Sequence, residues 1–294
     1  MRRGYWLAAP ALLGMALFVL WPLANVARYA TWDWSGLSAP RSVGLANFGR
    51  LWRDLEFWRA LRTTLIYSAM FLPSFLWLSR TIALAIYGVR LERVIKALLF
   101  LPGLMTIAGS VIAWVLLYNP NYGLIVEATR PLLGALPCEL GPLPLPCDGL
   151  AIPWDRTPWA ALVLVALFSL WQYVGYGVLV VSAALRGIPA SVTEAAQVDG
   201  ASEAQLQRLI VSPLLRPTMR FLLIIGTVAA IQAYTAVFLL TRGGPFGSTR
   251  VIGYYLYETA FERLQLGYGA AMTLVILLGT LLIAGVQAAL ARRA

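Results

Sequence analysis

The sequence predicts an all-α integral membrane protein of six transmembrane helices, with a helix-turn-helix on the cytoplasmic side between the fourth and fifth. Three observations carry this. Hydrophobic residues make up 60% of the 294 and charged ones 12%, with a mean hydropathy of +0.74, whereas a soluble protein carries about a quarter charged residues. The apolar residues gather into six runs, each near the roughly 20 residues that cross a bilayer. Residues 194–217, EAAQVDGASEAQLQRLIVSPLLRP, are the only long polar island in the C-terminal half. Six spans and their connections use up the chain, so residues 1–294 form one membrane domain. The net charge of +10 sits on arginines confined to short segments between apolar runs, which suits lipid headgroups and not nucleic acid. With no histidine and two cysteines, no metal, haem or other cofactor is expected.

The first span is predicted at 5–27, behind Met1-Arg2-Arg3; it is too long for the hydrophobic core of a cleaved signal. Trp21, Trp32 and Trp34 suit the outer interface. Residues 31–60 are a polar, arginine-rich connector containing Val43-Gly44-Leu45-Ala46-Asn47-Phe48 and then Asp54. The second span, 61–88, holds Pro73, which should kink it, and Arg80, which is costly in hydrocarbon. Two readings of Arg80 stand: snorkelling to the cytoplasmic end, and a pathway or gating role. The third span is predicted at 97–118. Residues 123–158 are rich in Pro and Gly and hold Cys138 and Cys147, read either as a disulfide, if this loop is exported, or as two free thiols.

The fourth span, 159–185, has Gln172 at its centre, and the fifth, 221–241, has Gln232 with Thr235 three residues on. An amide in hydrocarbon needs a partner, so each serves a helix contact or a ligand. With Trp171, Tyr173, Tyr176 and Tyr234 beside them, these amides suit a polyhydroxylated solute, because aromatic rings cover a sugar's apolar faces while amides bond its hydroxyls. Interhelical packing is the competing account. Thr241-Arg242-Gly243-Gly244-Pro245 is a tight turn outside the membrane. The sixth span is predicted at 267–290, which puts both termini in the cytoplasm.

Between spans four and five, residues 186–220 read as a helix-turn-helix. Ser191 with Glu194 and Ser202 with Gln205 form two capping boxes in tandem. Gly200 between them suits the left-handed end of a first short helix. Leu206, Leu209, Ile210 and Leu214 then give the second helix an apolar stripe, and Pro213 is expected to stop or kink it.

Glu194-Ala195-Ala196, Asp199-Gly200-Ala201, Ile210 and Pro213, preceded by Leu185, Ile188 and Pro189, resemble the EAA loop of permease subunits in binding-protein-dependent ABC importers. Gln207 stands where a Phe is common, and Ser212 where a Leu precedes the Pro. Asn119-Pro120-Asn121-Tyr122-Gly123-Leu124 and the series Thr241, Gly243-Gly244-Pro245, Thr249, Tyr257, Ala260-Phe261 and Gly267–Ala271 are similar to motifs of the sugar permeases in that family. The resemblance implies a subunit that moves a mono- or oligosaccharide across the inner membrane of a prokaryote by alternating access. It also implies its partners: a second permease of different sequence, two ATP-binding subunits docked on the residues just quoted from 194 to 213, and an extracytoplasmic solute-binding protein.

The chain has no phosphate-binding loop, and its only lysine is Lys96, so ATP hydrolysis is expected in a partner and the chain is not expected to be an enzyme. Glycerol phosphate or another polar solute stays open as cargo, since Arg80 or Arg242 could meet a phosphate. A membrane scaffold or intramembrane enzyme is disfavoured, because every Asp and Glu falls in a loop or at its edge. Basic residues divide equally between the two sides, so orientation rests on the resemblance and the cysteines.

Overall fold

A bilayer core offers no water to backbone N–H and C=O groups, so an apolar run that enters it closes its hydrogen bonds within a helix. The computed structural model describes residues 2–119, 121–125, 127–128 and 157–293. Cys138 and Cys147 lie outside the described residues. The chain begins with α1 (Arg2–Met15), a π-helical turn (Ala16–Leu20) and α2 (Trp21–Tyr29). An antiparallel pair follows, β1 (Trp32–Asp33) with β2 (Arg41–Ser42), pairing Trp32 with Ser42. Next come α3 (Ala46–Arg53), α4 (Leu55–Ile86), α5 (Glu92–Leu104), α6 (Ile107–Tyr118), α7 (Pro158–Arg186) and α8 (Ala190–Val198). The remainder is α9 (Glu203–Gln205), a π turn (Leu206–Val211), α10 (Ser212–Ile231), α11 (Tyr234–Leu240), α12 (Ile252–Tyr257), a π turn (Glu258–Glu262) and α13 (Leu266–Arg293).

Ala9–Tyr29, Leu55–Ile86, Pro158–Arg186, Glu203–Ile231 and Leu266–Leu290 are each long and apolar enough to cross a membrane. Glu92–Leu104 and Ile107–Tyr118, bent by 102°, make a sixth crossing only as one broken span. The predicted third span, 97–118, is therefore not one straight helix. Pro102 occupies the last turn of α5, and Thr106 restarts the chain as N-cap of α6, its side chain accepting from Gly109 N–H.

Two other boundaries differ from expectation. The second span starts at Leu55 rather than 61, because Asp54 Oδ1 accepts the N–H groups of Glu56 and Phe57 at 3.0 and 3.3 Å and so nucleates the helix earlier; it then runs through Pro73 without ending. The fifth span is not 221–241. Its helix rises continuously from Glu203 to Ile231 and breaks at Gln232 and Ala233, before α11. Pro213 does not stop it: the π turn just before this proline widens the ladder, which relieves the clash its ring would make with the carbonyl four residues back.

Chain contacts divide the fold into two units. The first comprises Met1–Leu61 and Ile252–Ile283. Ala30, Ala270 and Ala271 form its small core, packed by Val26, Tyr29, Phe48 and Leu274. Asn47 Nδ2 donates to the carbonyls of Ala30 and Trp32, both at 2.9 Å, which fixes α3 to the hairpin. Gly267 N–H donates to Trp34 O at 3.1 Å, and a Cβ there would collide with the Trp32 carbonyl.

The second unit comprises Arg62–Val251 and Ala284–Ala294. Here α4 carries an aromatic stripe, Tyr67, Phe71 and Phe75, each 1% exposed, with rings stacked at 5.9 and 5.5 Å. Glycines let neighbouring helices approach it. A Cβ on Gly177 of α7 would collide with Ser79, and one on Gly226 of α10 would lie 2.9 Å from Leu72 Cδ2. Likewise α5 lies against α7 where Gly175 meets the Leu99 backbone with no room for a side chain. Lipid supplies no hydrophobic drive between helices, so such close packing is what associates them.

Candidate functional site

Residues 186–220, expected from the sequence to be the coupling segment, are anchored where they leave α7. The Glu92 carboxylate accepts from Arg186 at 2.9 Å, Lys96 at 2.8 Å and the Gly88 N–H at 3.3 Å. Helix α8 begins at Ala190 with Pro189 in the N-cap position and no side-chain cap, so the expected box of Ser191 with Glu194 is replaced. Pro189, at φ −60 and ψ 134, is already held extended by its ring, and the helix starts directly after it.

The end of α8 is a Schellman turn. Gly200 stands at φ +81, Ala201 N–H reaches Ala196 O at 2.9 Å, and Gly200 N–H reaches Gln197 O at 3.0 Å. Ser202 and Gln205 form a capping box, with Ser202 N–H donating to Gln205 Oε1 at 2.8 Å and Gln205 N–H to Ser202 Oγ at 3.4 Å.

The expected stripe is redistributed. Leu206 and Val211 are buried and Ile210 half-buried, while Leu209 and Leu214 are 66% and 48% exposed, because a π turn rotates every residue after it relative to an α register. Glu194, Ala195, Asp199 and Gly200 are exposed, Ala196 is buried, and Ala201 and Pro213 are half-buried. Val198, 88% exposed, is an apolar side chain at the end of α8 that the sequence pattern did not single out.

Within the second unit, α4, α7 and α10 with α11 enclose a cavity of about 20 Å³ whose lining includes Tyr67, Ser169, Gln172, Tyr173, Gln232 and Thr235. It has room for one water and none for a sugar ring. None of its lining residues is charged. Gln172 Nε2 donates to Pro102 O at 2.8 Å, filling the carbonyl end of α5 at the bend, while its Oε1 is buried without a hydrogen bond. Packing thus accounts for only half of this amide. Tyr67 donates its hydroxyl to Ser169 Oγ at 2.7 Å, and Ser169 donates to Val165 O at 2.9 Å.

The predicted pathway residues do not all meet. Gln172, Tyr173, Gln232 and Thr235 line this cavity, but Trp171 lines a separate cleft of about 370 Å³ with Trp114 and Tyr118. Tyr176 and Tyr234 line neither, and Tyr234 stacks on Phe238 at 5.7 Å. Adjacent helical residues point about 100° apart, which sends Trp171 away from Gln172. Tyr67 was missed, although its spacing of four from Phe71 and of eight from Phe75 was legible as a stripe.

The turn after α11 is stapled by threonines. Gly244 N–H donates to Thr241 O at 2.9 Å, Thr249 Oγ1 donates to Gly244 O at 2.8 Å, and the two threonine hydroxyls lie 2.7 Å apart. Gly243 takes φ +77, and the Gly244–Pro245 bond is cis.

The first unit holds a polar cleft of about 680 Å³ lined by Arg50, Arg53, Asp54, Glu56, Tyr255 and Arg263, among others. Asp54 Oδ2 accepts the hydroxyls of Tyr255 and Tyr268 at 2.7 and 2.6 Å. Burial disfavours the charge on Asp54, yet hydrogen bonds from Tyr268, Tyr255 and the N–H groups of Phe57 and Glu56 outweigh it and hold the carboxyl below its ordinary pKa. Burial and then the bond to Asp54 push the Tyr255 hydroxyl up to about 12. Arg50 stacks over the Tyr268 ring at 4.2 Å and donates to Gln265 Oε1 at 2.8 Å.

Comparison with known proteins places this architecture. The family described as binding-protein-dependent transport system inner membrane component matches residues 53–294. A probable ABC transporter permease protein of Pyrococcus horikoshii is 31% identical over 277 residues, covering 93% of this chain and 90% of that protein. The sn-glycerol-3-phosphate transport system permease protein UgpA of Yersinia pestis bv. Antiqua is 32% identical over 278 residues, covering 93% of this chain and 88% of that one. Among solved structures, a chain of a bacterial ABC transporter involved in the import of the acidic polysaccharide alginate has the same fold, with a TM-score of 0.81 at 20% identity, covering 99% of this chain and 96% of that chain.

Proposed function

The chain belongs to the family of binding-protein-dependent transport system inner membrane components, and from that premise we propose that it carries a carbohydrate through the bundle around Gln172 while residues 186–220 receive the motion of a separate ATPase. It is a permease subunit of an importer, a transport component rather than an enzyme. The observation that carries the cargo reading is the lining of the small cavity: hydroxyls from Tyr67, Ser169, Tyr173 and Thr235 with two amides, and no charge. Hydroxyls and amides with aromatic faces match a polyol better than an ion. A sugar enters only when α4, α7 and α10 part, as alternating access about a midplane site requires.

The exposed helix-turn-helix supports the coupling reading. Val198, Leu209, Glu194 and Asp199 offer a mixed apolar and acidic surface for a nucleotide-binding subunit. The second permease, the two ATPase subunits and the solute-binding protein are the partners this scheme needs, with both termini cytoplasmic.

Glycerol phosphate is the second reading, favoured by the UgpA relatives. A phosphate calls for a cation near its path, and no charged residue lines the small cavity. The deciding measurement is calorimetric titration of the solute-binding protein that delivers cargo to this permease with maltose, longer oligosaccharides and sn-glycerol-3-phosphate. Saturable binding of a saccharide is expected; binding of the phosphate alone overturns the carbohydrate reading.

A further inference from the structure

Arg80 lies half-buried in α4, near its C-terminal end at Ile86, where a guanidinium on an apolar helix either reaches the interface or takes a polar partner. Its partner comes from the coupling segment. Arg80 Nη2 donates to Ser212 Oγ at 2.6 Å, and Ser212 Oγ donates to Gln207 O at 2.5 Å. The Ser212 N–H closes on the same Gln207 carbonyl, the five-residue step of a π turn. Guanidinium, hydroxyl and carbonyl therefore make one chain that ends at the root of α10, where the helix is one residue out of α register. A π turn is a local defect whose register can shift without unfolding its neighbours, so it is a natural point for movement to enter.

The two helices joined by this bond are also two walls of the small cavity. Tyr67 lies 13 residues from Arg80 on α4, about 20 Å along the helix axis, and α10 leads from Ser212 to Ala229 and Gln232 on the opposite wall. Without the bond, motion of the coupling segment reaches α10 through the backbone but reaches α4 only through packing. With it, α4 is pulled along.

We propose that Arg80 and Ser212 are positioning residues that lock α4 to the coupling helix, so that both walls of the cavity move together when the ATPase acts. This rests on the coupling role proposed above. Ser212 stands where the resemblance places a leucine, whose side chain offers no acceptor.

The test uses the assembled importer in lipid nanodiscs, with spin labels on cysteines introduced at Ala85 of α4 and Leu209 of the π turn, both exposed, in a Cys138→Ser, Cys147→Ser background. The inter-label distance is read before and after trapping with ATP and vanadate. In the wild type the distance is expected to hold while the Leu209 label changes its surroundings. In Arg80→Met and in Ser212→Ala the distance is expected to shift on trapping, with ATP hydrolysis kept within about twofold. Arg80→Lys is expected to restore the wild-type behaviour in part, and the double variant to be no worse than either single one, as for two halves of one bond.

Distances that hold in both variants, additive effects of the two substitutions, or a wild type whose labels part on trapping overturn the inference. If trapping leaves the Leu209 label unchanged in the wild type, the coupling role itself falls, and this inference with it. Should Arg80→Met fail to insert, Ser212→Ala, which removes one oxygen, decides alone.

Discussion

At the scale of single residues, the side chains that organise the site are those whose partners are remote. Asp54 illustrates this: from its neighbours it is a helix cap, and only the fold adds the two tyrosine hydroxyls. Its pKa is held down in the folded protein, so its contribution to stability is present above the ordinary carboxylate range and is lost as pH falls through the folded value. Thermal melting of the detergent-solubilised chain is therefore expected to fall more steeply for wild type than for Asp54→Asn below about pH 4. Parallel curves would show that the tyrosines contribute nothing to the charged form. Removing one donor, as in Tyr255→Phe, should cost about 1 to 2 kcal/mol at neutral pH by the same assay.

Gln172 was legible as an amide that serves a ligand or a helix contact, and the structure shows its Nε2 bonded to Pro102 O and its Oε1 buried without a hydrogen bond. Gln172→Leu is expected to lose the bond to Pro102 and lower uptake, with insertion unchanged on immunoblots of washed membranes. Uptake at the wild-type level would confine Gln172 to packing.

At the scale of elements, local signals succeeded where the structure is local. Gly200, the Ser202 box and the tight turn at Gly243 and Gly244 are set by a few consecutive residues. Gly200 has open space where a Cβ would project, so its role within the chain is its positive φ alone. Gly200→Asn, which tolerates that region, should keep the ATPase subunit bound in pull-downs, while Gly200→Val, strained by about 1 to 2 kcal/mol, should weaken it. Equal loss for both would mean that residue 200 is enclosed by the partner.

Pro213 was expected to stop or kink a helix because proline breaks an α ladder, but a π turn is a different ladder, and it has no sequence signature comparable to a cap. The bend between α5 and α6 was legible in Pro102-Gly103, a turn-forming pair inside the apolar run, and was missed because that run was read by hydropathy alone.

At the scale of the whole molecule, hydropathy settled the membrane and the family resemblance supplied orientation. The connectors after the first and fifth spans both line the polar cleft of the first unit, through Arg50 and Arg53 on one side and Arg263 on the other. They are expected to share a membrane face, and the topology proposed above puts residues 186–220 in the cytoplasm. In a background without Cys138 and Cys147, a cysteine at Gln197 is expected to react with a membrane-impermeant maleimide only in inverted vesicles, and one at Arg53 only in intact spheroplasts. Labelling of both from one side would overturn the topology.

By itself the sequence determined what depends on near neighbours: residence in lipid, the apolar runs and the glycine turn. Hydrophobic transfer and helix capping act over one to four residues or along one run, so they are written in order. Only the tertiary structure decided which polar groups answer one another. Arg80 finds Ser212 132 residues away and Asp54 finds Tyr268 214 residues away; for Arg80, on an apolar helix, an unpaired charge is costly, and for the partly buried Asp54 the two tyrosine hydroxyls replace water it has lost.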